Sequence, residues 1–491
     1  MAPPPAPAPP RESALSRLAL RFTDWTERWV PDAFVFALIA TAIVFVLGIT
    51  VAGAAPLTLV GHWGGSFWGL AKFTLQMALI IVTGYVLASS RPVFRMIARV
   101  ARLPRTPRGA IAMVALFAML TSWLNWGFSL IFSAMLAKET ARHRPDADYR
   151  ALAASSFLGL GSIWAQGLSG SAALQMATAG GTIPEKVREV VAQTQQTQGG
   201  QASLIPGGII PLRHTIFLWQ SLVSVAIEIA IVLIVVWLYT PSPERAKSAR
   251  DLGIDLGPSP ESTDGASAAK APAPRPGEWL EHSPILTLVV VALGVTYLGS
   301  YMAAARSPLD AINLDTVNLS FLMLGFLLHW TPARLMRAVR DATPATWGVV
   351  LQFPFYAGIE GMITHTRLNQ QIASLFVSLS TKTTFPPLVA LYSTVLGVFV
   401  PSGGSKWVIE APYVMAAAHE QRVHLGWMVC VYDLGEALAN LVQPFWMLPT
   451  LALLGLKARD VMGFTFIVFL VLLPVVLVLV TVLGQTLPYP L

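Results

Sequence analysis

Val400-Pro401-Ser402-Gly403-Gly404-Ser405-Lys406-Trp407 interrupts a stretch, residues 387–418, that is otherwise apolar enough to enter a bilayer. At membrane depth such backbone persists only where neighbouring protein or a water-filled cavity satisfies its freed polar groups. Two half-helices meeting at a Gly/Ser-rich tip form a re-entrant hairpin or a broken helix. Secondary transporters hold their solute at elements of this kind.

The whole chain fits a membrane setting. It has 491 residues, 54% hydrophobic and 12% charged, with a mean hydropathy of +0.61; soluble domains average about 25% charged. Many apolar runs approach the roughly 20 residues of a spanning helix, which predicts an all-α polytopic protein in a lipid bilayer. The single cysteine, Cys430, excludes an intramolecular disulfide and any multi-cysteine metal site. The net charge of +7 lies in basic residues between apolar runs, which is membrane topology and not a nucleic-acid face. With no GxxxxGK[ST] loop, nothing supports ATP-driven pumping.

Candidate spans are 32–54, 66–90, 150–178, 214–240, 284–305, 313–330, 347–366, 426–456 and 461–484. Segments 109–140 and 387–418 read as re-entrant hairpins. Arg91, Arg95, Arg99, Arg102, Arg105 and Arg108 precede the first, and Lys138, Arg142, Arg144 and Arg150 follow its apolar part; positive flanks put both ends in the cytoplasm. Arms of about 13 residues reach only part-way across a core of about 30 Å. On this topology 24 of the 33 Lys and Arg are cytoplasmic and seven external, which places the N-terminus inside and the two hairpins in opposite senses.

Residues 1–30 read as a disordered Pro/Ala-rich start followed by an amphipathic segment. Residues 241–282, rich in Pro, Ser, Ala and charge, read as a flexible cytoplasmic linker. It separates two repeats, 31–240 and 283–491. Each runs through a basic cytoplasmic segment, a hairpin, a polar-interrupted span and a last span. One extra span reverses the second. That is the hydropathy signature of an inverted-repeat secondary transporter whose site lies between hairpins and interrupted spans.

In the first hairpin, Asn125 and Ser129 offer oxygens to a small cation and Gly127 permits a turn; an ordinary span with a buried Asn would look the same. In 150–178, Gly159-Leu160-Gly161-Ser162 and Gly167-Leu168-Ser169-Gly170-Ser171 weaken the helix. They can free backbone groups for a ligand, or simply let helices pack closely. At the second tip, Ser402, Gly403, Gly404, Ser405 and Lys406 suit a carboxylate, with the start of the second arm aimed at it. Alternatively Lys406 pairs with Glu410 one turn on.

Asp433, Glu436, Asn440 and Gln443 fall on one stripe of a helix spanning 426–456. They suggest cation or proton binding, or polar contact with the other half. Glu228 and Glu360 are isolated intramembrane acids.

At Asn125-Trp-Gly-Phe, Gln352-Phe-Pro-Phe-Tyr-Ala-Gly-Ile, Val400-Pro-Ser-Gly-Gly, Trp407-Val-Ile-Glu-Ala-Pro and Gln443-Pro-Phe-Trp the chain resembles the bacterial short-chain fatty acid transporter family. The resemblance runs from near residue 20 to near residue 470, leaving out 183–203 and 241–282. It implies uptake of acetoacetate, butyrate and similar acids across the bacterial inner membrane by a carrier of inverted-repeat type with paired hairpins. The family pattern has Gly at 405 and Gln at 410, where this chain has Ser405 and Glu410.

The leading expectation is therefore a monocarboxylate symporter and not an enzyme. Ser402, Gly403, Gly404, Ser405, Lys406, Ser169, Gly170 and Ser171 would bind the substrate. Asn125, Ser129, Glu410, Asp433, Glu436 and Asn440 would serve the cation. The coupling ion is H⁺ or Na⁺, with no other cofactor or metal. A homodimer is expected by analogy with elevator carriers. A cation/proton antiporter of the same architecture is the alternative. Gly167-Leu168-Ser169-Gly170 also resembles an intramembrane serine protease, but no His lies mid-span to serve as its base.

Overall fold

The computed structural model describes residues 14, 33–177, 206–257, 275–305, 311–312, 314–399 and 403–491. Among these every regular element is a helix, which satisfies backbone groups within the segment as hydrocarbon demands. The chain is a multi-pass membrane protein.

Helices α1 (Ala33–Thr50) and α2 (Pro56–Ser66) lead into α3 (Ala71–Ser89), which bends by 70° into α4 (Arg91–Ala101). Pro92 cannot continue α3 but suits the first turn of a new helix. On α4 the apolar Phe94, Ile97, Ala98 and Ala101 are buried, while Arg91, Arg95 and Arg99 lie on the other side, as an interfacial helix requires.

The first predicted hairpin is α5 (Pro107–Leu124) and α6 (Trp126–His143). Asn125 ends one and caps the other, its side chain accepting from the Phe128 N–H at 2.8 Å. The arms pack side by side, linked by Ser129, whose hydroxyl donates to Ala118 O at 2.7 Å and accepts from Thr121 at 3.0 Å. Each arm has 18 residues, about 27 Å of helix. The expected short arms are thus corrected, and length no longer separates a re-entrant arm from a spanning one. Gly84 lets α3 cross α6 closely, since a Cβ there would stand 2.5 Å from Gly127 O.

The predicted span 150–178 is broken into α7 (Tyr149–Phe157), a π turn over Gly159–Ile163, a 3₁₀ turn over Trp164–Gln166, and α8 (Ser171–Ala177). Helix α9 (Trp219–Tyr239) follows.

Then come α10 (Ile285–Ala304), α11 (Leu314–His329), α12 (Pro332–Ala342), α13 (Trp347–Thr364) and α14 (Leu368–Leu379). The sequence reading did not foresee α14. The second interrupted stretch is α15 (Phe385–Phe399) and α16 (Gly403–Glu420). Helix α17 (Leu425–Ala439) is buried at every residue and is followed by α18 (Leu448–Leu454) and α19 (Met462–Gly484). Pro107–Leu124, the broken Tyr149–Ala177, α9, α10 and α19 are each long and apolar enough to cross a bilayer. The order helix–break–helix, broken helix, long helix occurs twice: α5–α6, α7–α8, α9, and again α15–α16, α17–α18, α19.

The linker expected to be flexible over 241–282 is docked through residue 257. Arg142 donates to the carbonyls of Leu256 and Gly257, the latter at 2.6 Å. Asp148 caps α7 and also accepts the Lys247 N–H at 3.1 Å, while the Tyr149 N–H donates to Lys247 O at 2.8 Å. Hydrogen bonds to the backbone of this segment carry the docking, so its composition does not reveal it. The predicted segments 1–30 and 183–203, apart from residue 14, and 258–274 lie outside the described residues.

Each charge-assisted hydrogen bond is worth about 1.5–3 kcal/mol. Arg142→Ala should therefore speed trypsin cleavage at Lys247 and Arg250 by about tenfold or more. An unchanged cleavage rate would show that Arg142 does not hold the segment.

Candidate functional site

Four breaks in helices converge: Asn125, the Gly159–Gly170 stretch, the Gly403 end of α16, and Asn440–Pro444 after α17. Between them lies a cavity of about 20 Å³ bordered by Trp126, Leu160, Trp164, Ser171, Gly403, Gly404 and Asn440. Its floor closes tightly: a Cβ on Gly403 would come within 2.7 Å of the Trp164 ring and 3.0 Å of Asp433 Oδ1.

A break frees backbone groups, and several of them here are satisfied by residues in or beside another break. Ser169 Oγ accepts from the Trp126 N–H at 2.9 Å, and the Leu168 N–H donates to Trp123 O at 2.7 Å. Asn440 Nδ2 donates to Leu160 O at 3.2 Å. The Tyr432 hydroxyl donates to Gly403 O at 3.0 Å, and Gln175 Nε2 donates to Gly404 O at 2.8 Å. Asp433 Oδ2 accepts from the Ala172 N–H at 3.0 Å.

Lys406 is fully buried. Its Nζ lies 2.6 Å from Glu436 Oε2, although off the line of an aligned hydrogen bond. It donates to Ser393 O at 2.7 Å and to Ser393 Oγ at 3.1 Å, and stands 5.2 Å from the centre of the Tyr432 ring, within cation–π reach. The alternative pairing of Lys406 with Glu410 is thus corrected. Glu436, on a different helix, holds the ammonium, and both Glu410 oxygens lack a hydrogen-bond partner among the described residues.

The substrate and cation sets expected separately therefore meet in one ion pair. Gly403, Gly404, Lys406, Ser171, Asp433, Glu436 and Asn440 come together at the centre. Ser169 and Gly170 sit in the adjoining break. Asn125 and Ser129 serve the α5–α6 junction, and Ser129 bonds only within it among the described contacts. Ser402 and the side chain of Ser405 lie outside the described residues. The acidic stripe is shorter than expected, since α17 ends at Ala439. Asn440 caps it, and Gln443 bonds Asn440 Oδ1 at 2.7 Å and the Phe445 N–H at 2.7 Å from the following turn. Pro444 has no N–H to bond the Asn440 carbonyl, and the stripe unwinds where those amides are needed.

Ser393, Tyr432, Gln175 and Trp164 were missed. Only Gln175 carried a signal, one turn after Ser171 on a small-residue helix. Glu228 is held by Gln166 Nε2 and Ser224 Oγ, both at 2.7 Å, and stays apart from Lys406.

Residues 14–483 match the family model described as short chain fatty acid transporter. The chain belongs to the short-chain fatty acid transporter family. Two relatives bear the name "Putative short-chain fatty acid transporter". The one from Escherichia coli is 37% identical over 450 residues, 92% of this chain and 96% of the relative. The one from Haemophilus influenzae is 32% identical over 464 residues, 94% and 99% of the two. Among solved structures, the YdaH transporter of Alcanivorax borkumensis aligns with a TM-score of 0.46 at 13% identity, over 95% of this chain and 98% of that one. MtrF of Neisseria gonorrhoeae aligns with the same score and identity over 96% and 97%. As a member of this family the chain is a transporter and not an enzyme, and Ser169 is engaged by a backbone amide.

Removing one partner of a buried ion pair leaves an uncompensated charge, at about 3–5 kcal/mol, whereas replacing both by apolar groups is often neutral. Lys406→Met and Glu436→Leu should each lower thermal stability in detergent markedly, and the double variant should recover most of the loss. Additive losses would mean that the pair does not form.

Proposed function

We propose that this member of the family imports short-chain monocarboxylates such as butyrate and acetoacetate across the bacterial inner membrane, in symport with H⁺ or Na⁺. The observation that carries this reading is Lys406, an ammonium at the centre where breaks from both halves converge, held by a carboxylate that a substrate carboxylate can replace. The tip at 402–406 and the break at 169–171 take the substrate. Asn125, Glu410, Asp433, Glu436 and Asn440 serve the coupling cation.

Such acids are ionised at neutral pH. The inside-negative potential opposes anion entry by about 2.3 kcal/mol per 100 mV, so a co-transported cation is needed for uptake against that potential. The cavity holds about one water, so the tip must withdraw to admit a four-carbon acid. A second cavity of about 160 Å³, lined by Tyr85, Asp341, Trp347 and Leu448, shares Trp446 with the first. On the basic-residue topology, with the N-terminus inside, Asp341 stands at the cytoplasmic face, which makes Trp446 the wall to be crossed on release. The doubled order of elements fits two inverted repeats with re-entrant hairpins; the homodimer and the elevator motion rest on analogy with other carriers alone.

The antiporter reading is favoured only by the excess of buried acids, Glu410, Asp433 and Glu436, over the one buried Lys. Counterflow of labelled butyrate in proteoliposomes separates the two. Rates must be taken above protein-free liposomes, because the undissociated acid itself crosses lipid. Wild-type protein should exchange butyrate. The Lys406→Met/Glu436→Leu double variant, expected to keep its fold while lacking the ammonium, should exchange it about tenfold to a hundredfold more slowly. Cation flux without any butyrate exchange would establish the antiporter instead.

A further inference from the structure

Three buried acids share the centre, and they are not equally supported. Asp433 accepts a backbone N–H, and Glu436 holds Lys406. Glu410 is fully buried, and neither of its oxygens has a hydrogen-bond partner among the described residues. A carboxylate without donors or water is costly to bury, whereas the neutral acid is far cheaper.

We propose that Glu410 is the residue that carries the coupling proton, so that this chain is a proton–monocarboxylate symporter; the inference rests on the carrier reading above. Loading the centre with an anion alone would add negative charge where three acids already face one base. Loading one anion together with one proton leaves the net charge unchanged, and that is the physical ground for the coupling.

Lys406 makes the two events interdependent. It lies four residues before Glu410 on α16, on the same face. While Glu410 is ionised it competes with the substrate for this ammonium and repels the substrate's own charge. Once Glu410 is protonated, Lys406 is left to Glu436 and to the incoming carboxylate. On this proposal the closed arrangement, with Lys406 turned to Glu436 and no donor to Glu410 among the described residues, is the form in which Glu410 carries its proton.

The groups that interact with Glu410 are Lys406 and Tyr413 of its own helix, Tyr392 of α15, and Glu436 and Tyr432 of α17. The Tyr392 and Tyr413 hydroxyls bond each other at 2.9 Å. Of the other helices packed on α16, α13 carries Tyr356 and Glu360, and α8 and α14 carry no titratable side chain. Lys406 is therefore the one cation in this set.

Binding of butyrate to the full chain in Na⁺-free detergent tests this. At a pH high enough for Glu410 to be ionised in the free protein, wild-type protein in weakly buffered solution should take up about one proton per butyrate bound, and over that range its affinity should rise by up to about tenfold per pH unit lowered. Glu410→Gln, a mimic of the neutral acid, should bind with the low-pH affinity at every pH above butyrate's own titration and take up no proton. Retained proton uptake in Glu410→Gln would overturn the assignment, as would wild-type binding that requires Na⁺ and takes up no proton. Should the variant not fold, the wild-type proton count over a pH series decides alone: a rise toward about one with increasing pH supports the proposal, and zero at every pH overturns it. Absence of any butyrate binding by folded wild-type protein would instead overturn the carrier reading, and this proposal with it.

Discussion

Around Lys406 and Glu436, an ammonium and a carboxylate meet at 2.6 Å with no exposure to solvent. Desolvating both charges is tolerable only if the rest of the ammonium's hydrogens find acceptors. Ser393 supplies two, a carbonyl and a hydroxyl, and the Tyr432 ring adds its negative face. Because Lys406, Ser393 and Glu436 belong to three helices, the pair ties α16, α15 and α17 at one point. A shift of any of them leaves a buried charge uncompensated.

The breaks obey the same rule on a larger scale. Each interruption exposes carbonyls and amides that hydrocarbon cannot satisfy. The partners come from breaks far away in sequence: Asn440 for Leu160, Gln175 for Gly404, and the Ala172 amide for Asp433. The two halves are thereby coupled, since the first half's broken helix cannot move past the second without exchanging these bonds. Weak points in the helices are thus also the places where the halves recognise each other. A π turn beside small residues, a common mark of functional sites, sits at that boundary over Gly159–Ile163.

Amphipathic helices at the periphery contrast with this centre. On α4 arginines face away from the buried Phe94 and Ile97. The docked segment to residue 257 is held by Arg142 and Asp148 at the ends of α6 and α7. These contacts fix the frame in which the polar centre is buried, and they involve none of its charges.

Hydropathy and interruption are local properties, so the sequence alone determined that the chain is an all-helical membrane protein. It also located the interruptions at Asn125, Gly159–Ser171 and Gly403, and picked out Lys406, Asp433, Glu436 and Asn440. The tertiary structure decided which of these groups meet. Spacing by four residues offered Glu410 to Lys406, but packing brought Glu436 closer from another helix. Helical periodicity kept Asn440 and Gln443 on a stripe, but Pro444 and the unsatisfied Leu160 carbonyl drew them out of it. Composition made 241–282 a flexible linker, but carbonyls within reach of Arg142 docked it through residue 257. In each case the deciding energy is that of a buried charge or unpaired backbone group, which depends on distance in space across helices and is not written in the spacing along the chain.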